Sequence, residues 1–136
     1  MNRRTKFTFL ALVLVQGMHS IEEYTFRLYE VFAPARFVSG LIFNDRRIGF
    51  ITFNIALFGF GLWCYLFPVR RGAPSAVSFF WVWIVIEFVN GVGHPLWSIV
   101  QQAYTPGVAT APVLLLLSLY LGWQVSNDSL RHERNT

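Results

Sequence analysis

Phe7 to Phe26 reads FTFLALVLVQGMHSIEEYTF. An uncharged apolar run ends in His19, Glu22 and Glu23, and at about 1.5 Å per helical residue the stretch is close to the ~30 Å of a bilayer's hydrocarbon core. A carboxylate near the centre of such a helix costs roughly 2.5 to 3.5 kcal/mol on insertion scales. Two of them beside a histidine therefore require partners, a wet cavity or a shallow position. Groups held in that way are suited to proton transfer or metal ligation.

The composition agrees with a bilayer setting. Of 136 residues, 54% are hydrophobic and 13% charged, against about 25% charged in a soluble domain. The length suits one domain, residues 1–136. The net charge of +4 comes from short basic clusters at the ends of apolar runs. This is the pattern of membrane anchoring, not of a nucleic-acid footprint. Cys64 is the single cysteine, so no internal disulfide forms, and in an apolar run it reads as a small packing side chain.

Four spans emerge: Phe7–Phe26, Ile48–Val69, Ala76–Val100, and a short fourth that begins at about 108–110 and ends at Val125. Gly91, Gly93 and Pro95 predict a break or kink in the third. The segment from Arg27 to Arg47 is too long for a tight turn. Its Phe32, Phe37, Leu41, Ile42 and Phe43 among arginines predict a partly helical interfacial segment. RRGAPS is a short turn, and the polar tail after Val125 is expected to fray. Gly59-Phe-Gly61 predicts close helix packing, and Glu30, Asp45 and Glu133 read as solvated charges. A cleaved leader is the rival reading of the N-terminus, but no A-x-A site follows the FLALVLV run. The fold class is thus all-α: a four-helix membrane bundle with an interfacial segment between the first two helices.

Helical depth brings the polar residues to one level. From the inner end of its span, His19 stands at ~18 Å, Glu22 at ~22 Å and Glu23 at ~24 Å, while Glu87, Asn90 and His94 on the third span stand at ~16, ~21 and ~27 Å. Asn54, descending from the outer face, stands at ~21 Å. His19, Glu22 and Glu23 share a face by i, i+3, i+4 spacing, which Gln16 extends, and Glu87, Asn90 and His94 share another. The Tyr104-Thr105 loop closes the same end.

His19-Ser-Ile-Glu22-Glu23, Asn90-Gly-Val-Gly-His94 and Tyr104-Thr-Pro-Gly107-Val-Ala-Thr110 together resemble the HXXEE domain family of small bacterial membrane proteins, over nearly the whole chain. The resemblance implies one multi-pass domain and a role for His19, Glu22, Glu23, Asn90 and His94. It supplies no substrate.

Four chemistries compete. His19, Glu23, Glu87 and His94 form a donor set for one divalent metal, Zn, Fe or Mn, with a remaining glutamate as base for a bound water. Without metal, Glu87 or Glu23 would donate a proton with His19 as relay, and Trp83, Trp97, Phe88 or Tyr104 could face a cationic intermediate. These ingredients are similar in kind to sterol isomerases of the emopamil-binding type. Glu22-Glu23-Tyr-Thr-Phe-Arg27 resembles one motif of CAAX-protease-like proteins, whose other motifs are absent. The bland reading is a polar network that glues helices at about 0.6 kcal/mol per contact, or forms a proton, ion or ligand path. Three carboxylates in one layer exceed what gluing needs. The expectation is therefore an enzyme acting on a hydrophobic or lipid-derived substrate, with Glu22, Glu87, Asn54, Asn90 and Tyr104 in catalytic or orienting roles. Its partners would be membrane lipids and a hydrophobic small molecule, not nucleic acid.

Arg3, Arg4, Lys6, Arg70, Arg71, Arg131 and Arg134 fall on one side of this topology, and Arg27, Arg36, Arg46 and Arg47 on the other. That bias predicts cell-membrane insertion with both termini in the cytoplasm. A reporter active only outside the cytoplasm is expected to be silent when fused after Thr136 and active at Arg36. The opposite pattern would invert the topology, and activity at both would break the even span count.

Overall fold

The computed structural model describes residues 2–133, with side chains through Asp128. Arg134, and the side chains of Arg131, His132 and Glu133, lie outside the described residues. Within them the chain is all-helical, with no strand. Helix α1 spans Arg3–Thr25, α2 Leu28–Val31, α3 Ala33–Ile42, α4 Arg46–Cys64, α5 Ala76–Gln101 and α6 Ala111–Glu133. A π-helical turn, Tyr65–Val69, extends α4. Two helical stretches, Arg46–Val69 and Ala76–Gln101, are long and apolar enough to cross a membrane.

Local chemistry sets the ends. The Asn2 side chain accepts from Arg4 N at α1, and Asp45 accepts from Arg47 N at 2.9 Å at α4. Both are N-caps, each worth about 1 kcal/mol. Asp45 is thus a helix start and not merely a solvated charge. Glu30 pairs with Arg27 at 3.6 Å on the surface. Pro68 lies inside the π-helical turn, where the wider winding accommodates a residue that cannot donate to the ladder. Gly72, at φ +69°, turns the chain into α5.

Helix α5 packs along α6, α1 packs against α6 and α4, and α3 folds back over α4. One half of the bundle's length is apolar core: Phe9, Leu12 and Val13 of α1 meet Cys64, Phe80, Trp83, Leu114 and Leu121. Phe9 sets its edge on Phe80, with centroids 5.2 Å apart. The other half carries a smaller cluster of Leu28, Tyr29 and Phe50 and the buried ionisable groups His19, Glu23, Glu87 and His94.

Three expectations need correction. Helix α5 runs unbroken past Gly91, Gly93 and Pro95. Pro95 removes only the N–H that would bond the Gly91 carbonyl, and Gly91 exists for packing: a Cβ there would come 2.6 Å from Leu115 Cβ and 2.8 Å from Leu115 N. As far as Glu133 the tail after Val125 does not fray, because α6 continues through it and Asp128 Oδ2 accepts from Thr5 Oγ1 at 3.2 Å; the last three residues lie outside the described ones. Of the Gly59/Gly61 pair, only Gly61 marks a close approach, with a Cβ 2.8 Å from Trp83 and Val13; Gly59 faces open space.

Gly91→Ala is therefore expected to destabilise by about 1–3 kcal/mol, since the clash is with backbone that cannot move aside. Gly59→Ala should be neutral or stabilising by up to about 1 kcal/mol. Unfolding of both variants in detergent checks the contrast, and equal behaviour would show that the α5–α6 contact is looser than described.

Candidate functional site

Helix α1 turns Gln16, His19, Ser20 and Glu23 inward, an i, i+3, i+4, i+7 stripe. Gln16, His19 and Glu23 are buried, as are Glu87 and His94 of α5. Glu23 Oε1 lies 3.3 Å from His19 Nε2 and 3.1 Å from His94 Nε2. The imidazoles meet edge to face, centroids 4.7 Å apart. One ligand atom from each of the three residues falls within 4.8 Å of the others, the one such metal-ready cluster among the described residues.

The far side of His19 is fixed by the loop that leads into α6. Its Nδ1 lies 2.7 Å from Thr110 Oγ1, which lies 2.6 Å from Glu22 Oε2. Glu22 also accepts from Thr110 N at 2.9 Å, from Ala109 N at 3.0 Å and from the Tyr104 hydroxyl. A carboxylate with four donors leaves the Thr110 proton no better acceptor, and 2.6 Å suits a charge-assisted O–H···O⁻ bond. Thr110 Oγ1 must then accept from His19 Nδ1–H. That fixes the tautomer of the neutral ring and directs the Nε2 lone pair at Glu23. His19 Nε2 is buried and has no hydrogen-bond partner of its own. Gly107 makes the approach possible: at φ +90°, a Cβ on it would lie 2.7 Å from His94 Nδ1 and 2.8 Å from His19 Cε1.

Glu87 stands beside the cluster and not in it. One end of the Gln16 amide is 2.8 Å from Glu87 Oε2 and 3.2 Å from Oε1; the other is 3.2 Å from Ser20 Oγ. Ser20 Oγ donates to Asn54 Oδ1 at 2.6 Å, and Asn54 Nδ2 donates to the Phe50 carbonyl at 3.0 Å. Reading back from that carbonyl, Asn54 presents its oxygen to Ser20, and Ser20 spends its one proton there. Ser20 can therefore only accept from Gln16, whose carbonyl must face Glu87. The chain is satisfied throughout when Glu87 carries a proton and donates it to Gln16. Turning the Gln16 amide over instead leaves its oxygen against a Ser20 hydroxyl with no proton to give. Asn90 Nδ2 adds a long contact to Glu87 Oε2 at 3.4 Å.

A cavity of about 340 Å³ opens on this layer between α1, α3, α4 and α5. Gln16, Glu23, Asn54, Asn90 and His94 provide its polar groups, and Leu28, Phe32, Val38, Phe53, Leu57 and Ile86 much of its apolar wall. That size and character suit a small hydrophobic ligand oriented by a few polar contacts. Of the aromatic residues considered for cation stabilisation, Trp83 is instead part of the apolar core and Phe88 faces outward.

The structure thus brings His19, Glu23 and His94 into one cluster, ties Glu22 and Tyr104 to the loop, and links Glu87, Asn90 and Asn54 through amides. Sequence reading gave no role to Ser20, Thr110 and Gly107. Ser20 and Thr110 sit inside the quoted motifs, and the hydroxyl at the start of α6 was the signal for Thr110. Compared with protein-family models, curated proteins and solved structures, the chain matches none.

Tyr104 offers a direct probe of the loop. Desolvation, and then its hydrogen bond to the Glu22 carboxylate, push the phenol from 10.0 up to about 12. A raised folded value favours the protonated phenol. The stability it contributes is complete below pH 10 and is lost as pH rises through about 12. The stability difference between the wild type and Tyr104→Phe should follow that window. A phenolate that forms near pH 10 in the folded protein would show that the Glu22 bond does not hold.

Proposed function

We propose that the protein is a metal-dependent membrane enzyme whose His19, Glu23 and His94 hold one divalent cation, and whose substrate is a hydrophobic or lipid-derived molecule bound in the 340 Å³ cavity. The observation that carries this reading is the buried, unpartnered Nε2 of His19 facing Glu23, with its Nδ1 held from behind by Thr110 and Glu22. Metal-binding histidines are characteristically fixed in this way through the second ring nitrogen. The spacing supports it as well. Bonds of about 2.0–2.1 Å in a tetrahedron set neighbouring ligand atoms about 3.3 Å apart, close to the 3.3 and 3.1 Å separations around Glu23 Oε1. Two histidines and a carboxylate suit Zn, Fe or Mn and leave a coordination position open.

A cation held by His19, Glu23 and His94 would supply Lewis acidity and activate water near neutral pH. The protein supplies the rest. Asn54, Asn90 and Gln16 orient a polar group of the substrate from the cavity wall, and the apolar wall excludes water. Glu87 keeps a proton behind Gln16 and Asn90, and Glu22, Thr110 and Tyr104 keep His19 in register.

The membrane setting is supported by apolar side chains that face outward on all four long helices. Ile21, Ile55, Val89 and Leu116 are each more than 60% exposed, a perimeter that would aggregate in water. Helix α1 keeps Gln16, His19 and Glu23 buried, so these polar groups need not meet lipid. On this reading α1, α4, α5 and α6 are the four spans, α3 lies at the interface, and both termini are cytoplasmic. The motif resemblance to the HXXEE family supports the same residues.

Metal analysis of the purified protein tests the centre. The wild type is expected to hold one equivalent, and His19→Ala and His94→Ala essentially none. Thr110→Val should weaken metal affinity by about 10–100-fold, while Thr110→Ser restores it. A metal-free wild type after purification and metal titration would overturn the proposal in favour of metal-free acid–base chemistry or a structural network, and so would full metal content in His19→Ala.

A further inference from the structure

On the other side of α1 and α4 from the cavity runs a second, open groove of about 580 Å³. Its walls are apolar, Leu14, Met18 and Ile21 facing Ile51, Ile55 and Phe58, and from Leu14 to Tyr24 it extends ~15 Å along the helix. Two features distinguish it from a plain seam between helices. At one end, Arg47 Nε donates to the hydroxyl of the groove residue Tyr24 at 2.8 Å, which holds the guanidinium over the mouth. The remaining N–H groups of Arg47 are spare, and neither Arg46 nor Arg47 has a carboxylate within ion-pair distance among the described residues. On the floor, Ser20 and Asn54 form a polar pair. Asn54 uses one amide N–H on Phe50 O and keeps the other.

We infer that this groove is a binding site for an anionic phospholipid, with one acyl chain along the groove and the phosphate on Arg47. The placement fits: Arg47 lies in the first turn of α4, just ahead of the apolar stretch that begins at Ile48, which puts its cation at headgroup level, while the groove down to Asn54, two helical turns or ~10 Å deeper, runs at acyl-chain depth. An arginine fork with spare donors is suited to phosphate. Phe50 and Asn54 also line the His–Glu cavity, so the bound lipid abuts the partition between the two. The inference rests on the membrane setting of the proposed function and not on its metal.

Native mass spectrometry in a neutral detergent tests it, with phosphatidylglycerol and phosphatidylcholine of identical chains as probes. The wild type should retain one phosphatidylglycerol with a preference of roughly tenfold, because in phosphatidylcholine the choline cation offsets the phosphate charge that Arg47 meets. Arg47→Gln should abolish the preference while phosphatidylcholine still binds. Ile55→Trp should lose both lipids by filling the groove, and Ile21→Trp does the same from the facing wall; both positions are about two-thirds exposed, so the larger ring fits without core repacking. Equal retention of the two lipids by the wild type would overturn the inference, as would undiminished retention in both tryptophan variants, which would mark annular lipid only. Metal content measured on the same samples separates the outcomes. Lost lipid with retained metal sinks the groove alone, and absent metal with selective lipid sinks the proposed centre alone.

Discussion

The Glu22 carboxylate is the joint on which the polar half of this protein depends. It accepts from two backbone amides, the Thr110 hydroxyl and the Tyr104 hydroxyl, all on the loop between α5 and α6. Those amides belong to the turn just ahead of α6, so a side chain from α1 ties that loop down before the helix begins. One group thereby sets how closely the loop approaches and which nitrogen of His19 carries its proton. The close approach in turn needs Gly107, where a side chain would strike both histidines.

Along the bundle, apolar packing and buried ionisable groups are divided. The half built on Phe9, Phe80, Trp83 and Leu121 is mostly apolar and rich in aromatic contacts. The other half holds Gln16, His19, Glu23, Glu87 and His94, all buried. Hydrogen bonds between membrane helices average about 0.6 kcal/mol, little against the cost of burying several ionisable groups. The apolar half and the close contacts at Gly61 and Gly91 are what offset the burial of those groups.

Much of this was legible in the sequence. Helical spacing placed Gln16, His19 and Glu23 on one face, and rise per residue placed Asn54, Glu87 and His94 at their depth, because both depend only on helix geometry. The sequence was less informative where tertiary contact decides. Gly91 and Pro95 read as a break because local rules penalise them in helices, yet Gly91 serves the approach of Leu115. The polar tail read as frayed because its anchor, Thr5 to Asp128, joins opposite ends of the chain. Thr110 went unassigned because its role is relational: it matters only once Glu22 and His19 stand on either side of it.

Three glutamates in one layer have three different environments, and these separate their roles. Glu22, saturated by donors, is a clamp. Glu23 is shared between two imidazole nitrogens, at 3.3 and 3.1 Å. Glu87, facing an amide carbonyl at the head of a chain that runs through Gln16 and Ser20 to Asn54, satisfies that chain in its protonated form. Pairing carboxyl groups whose surroundings push them to opposite protonation states is how one site runs acid and base steps together. The same Asn54 that ends the Glu87 chain lines both the His–Glu cavity and the apolar groove. A change in hydrogen bonding at Glu87 would therefore be felt at the wall between cavity and groove, because each link in that chain has only one way to satisfy its neighbour.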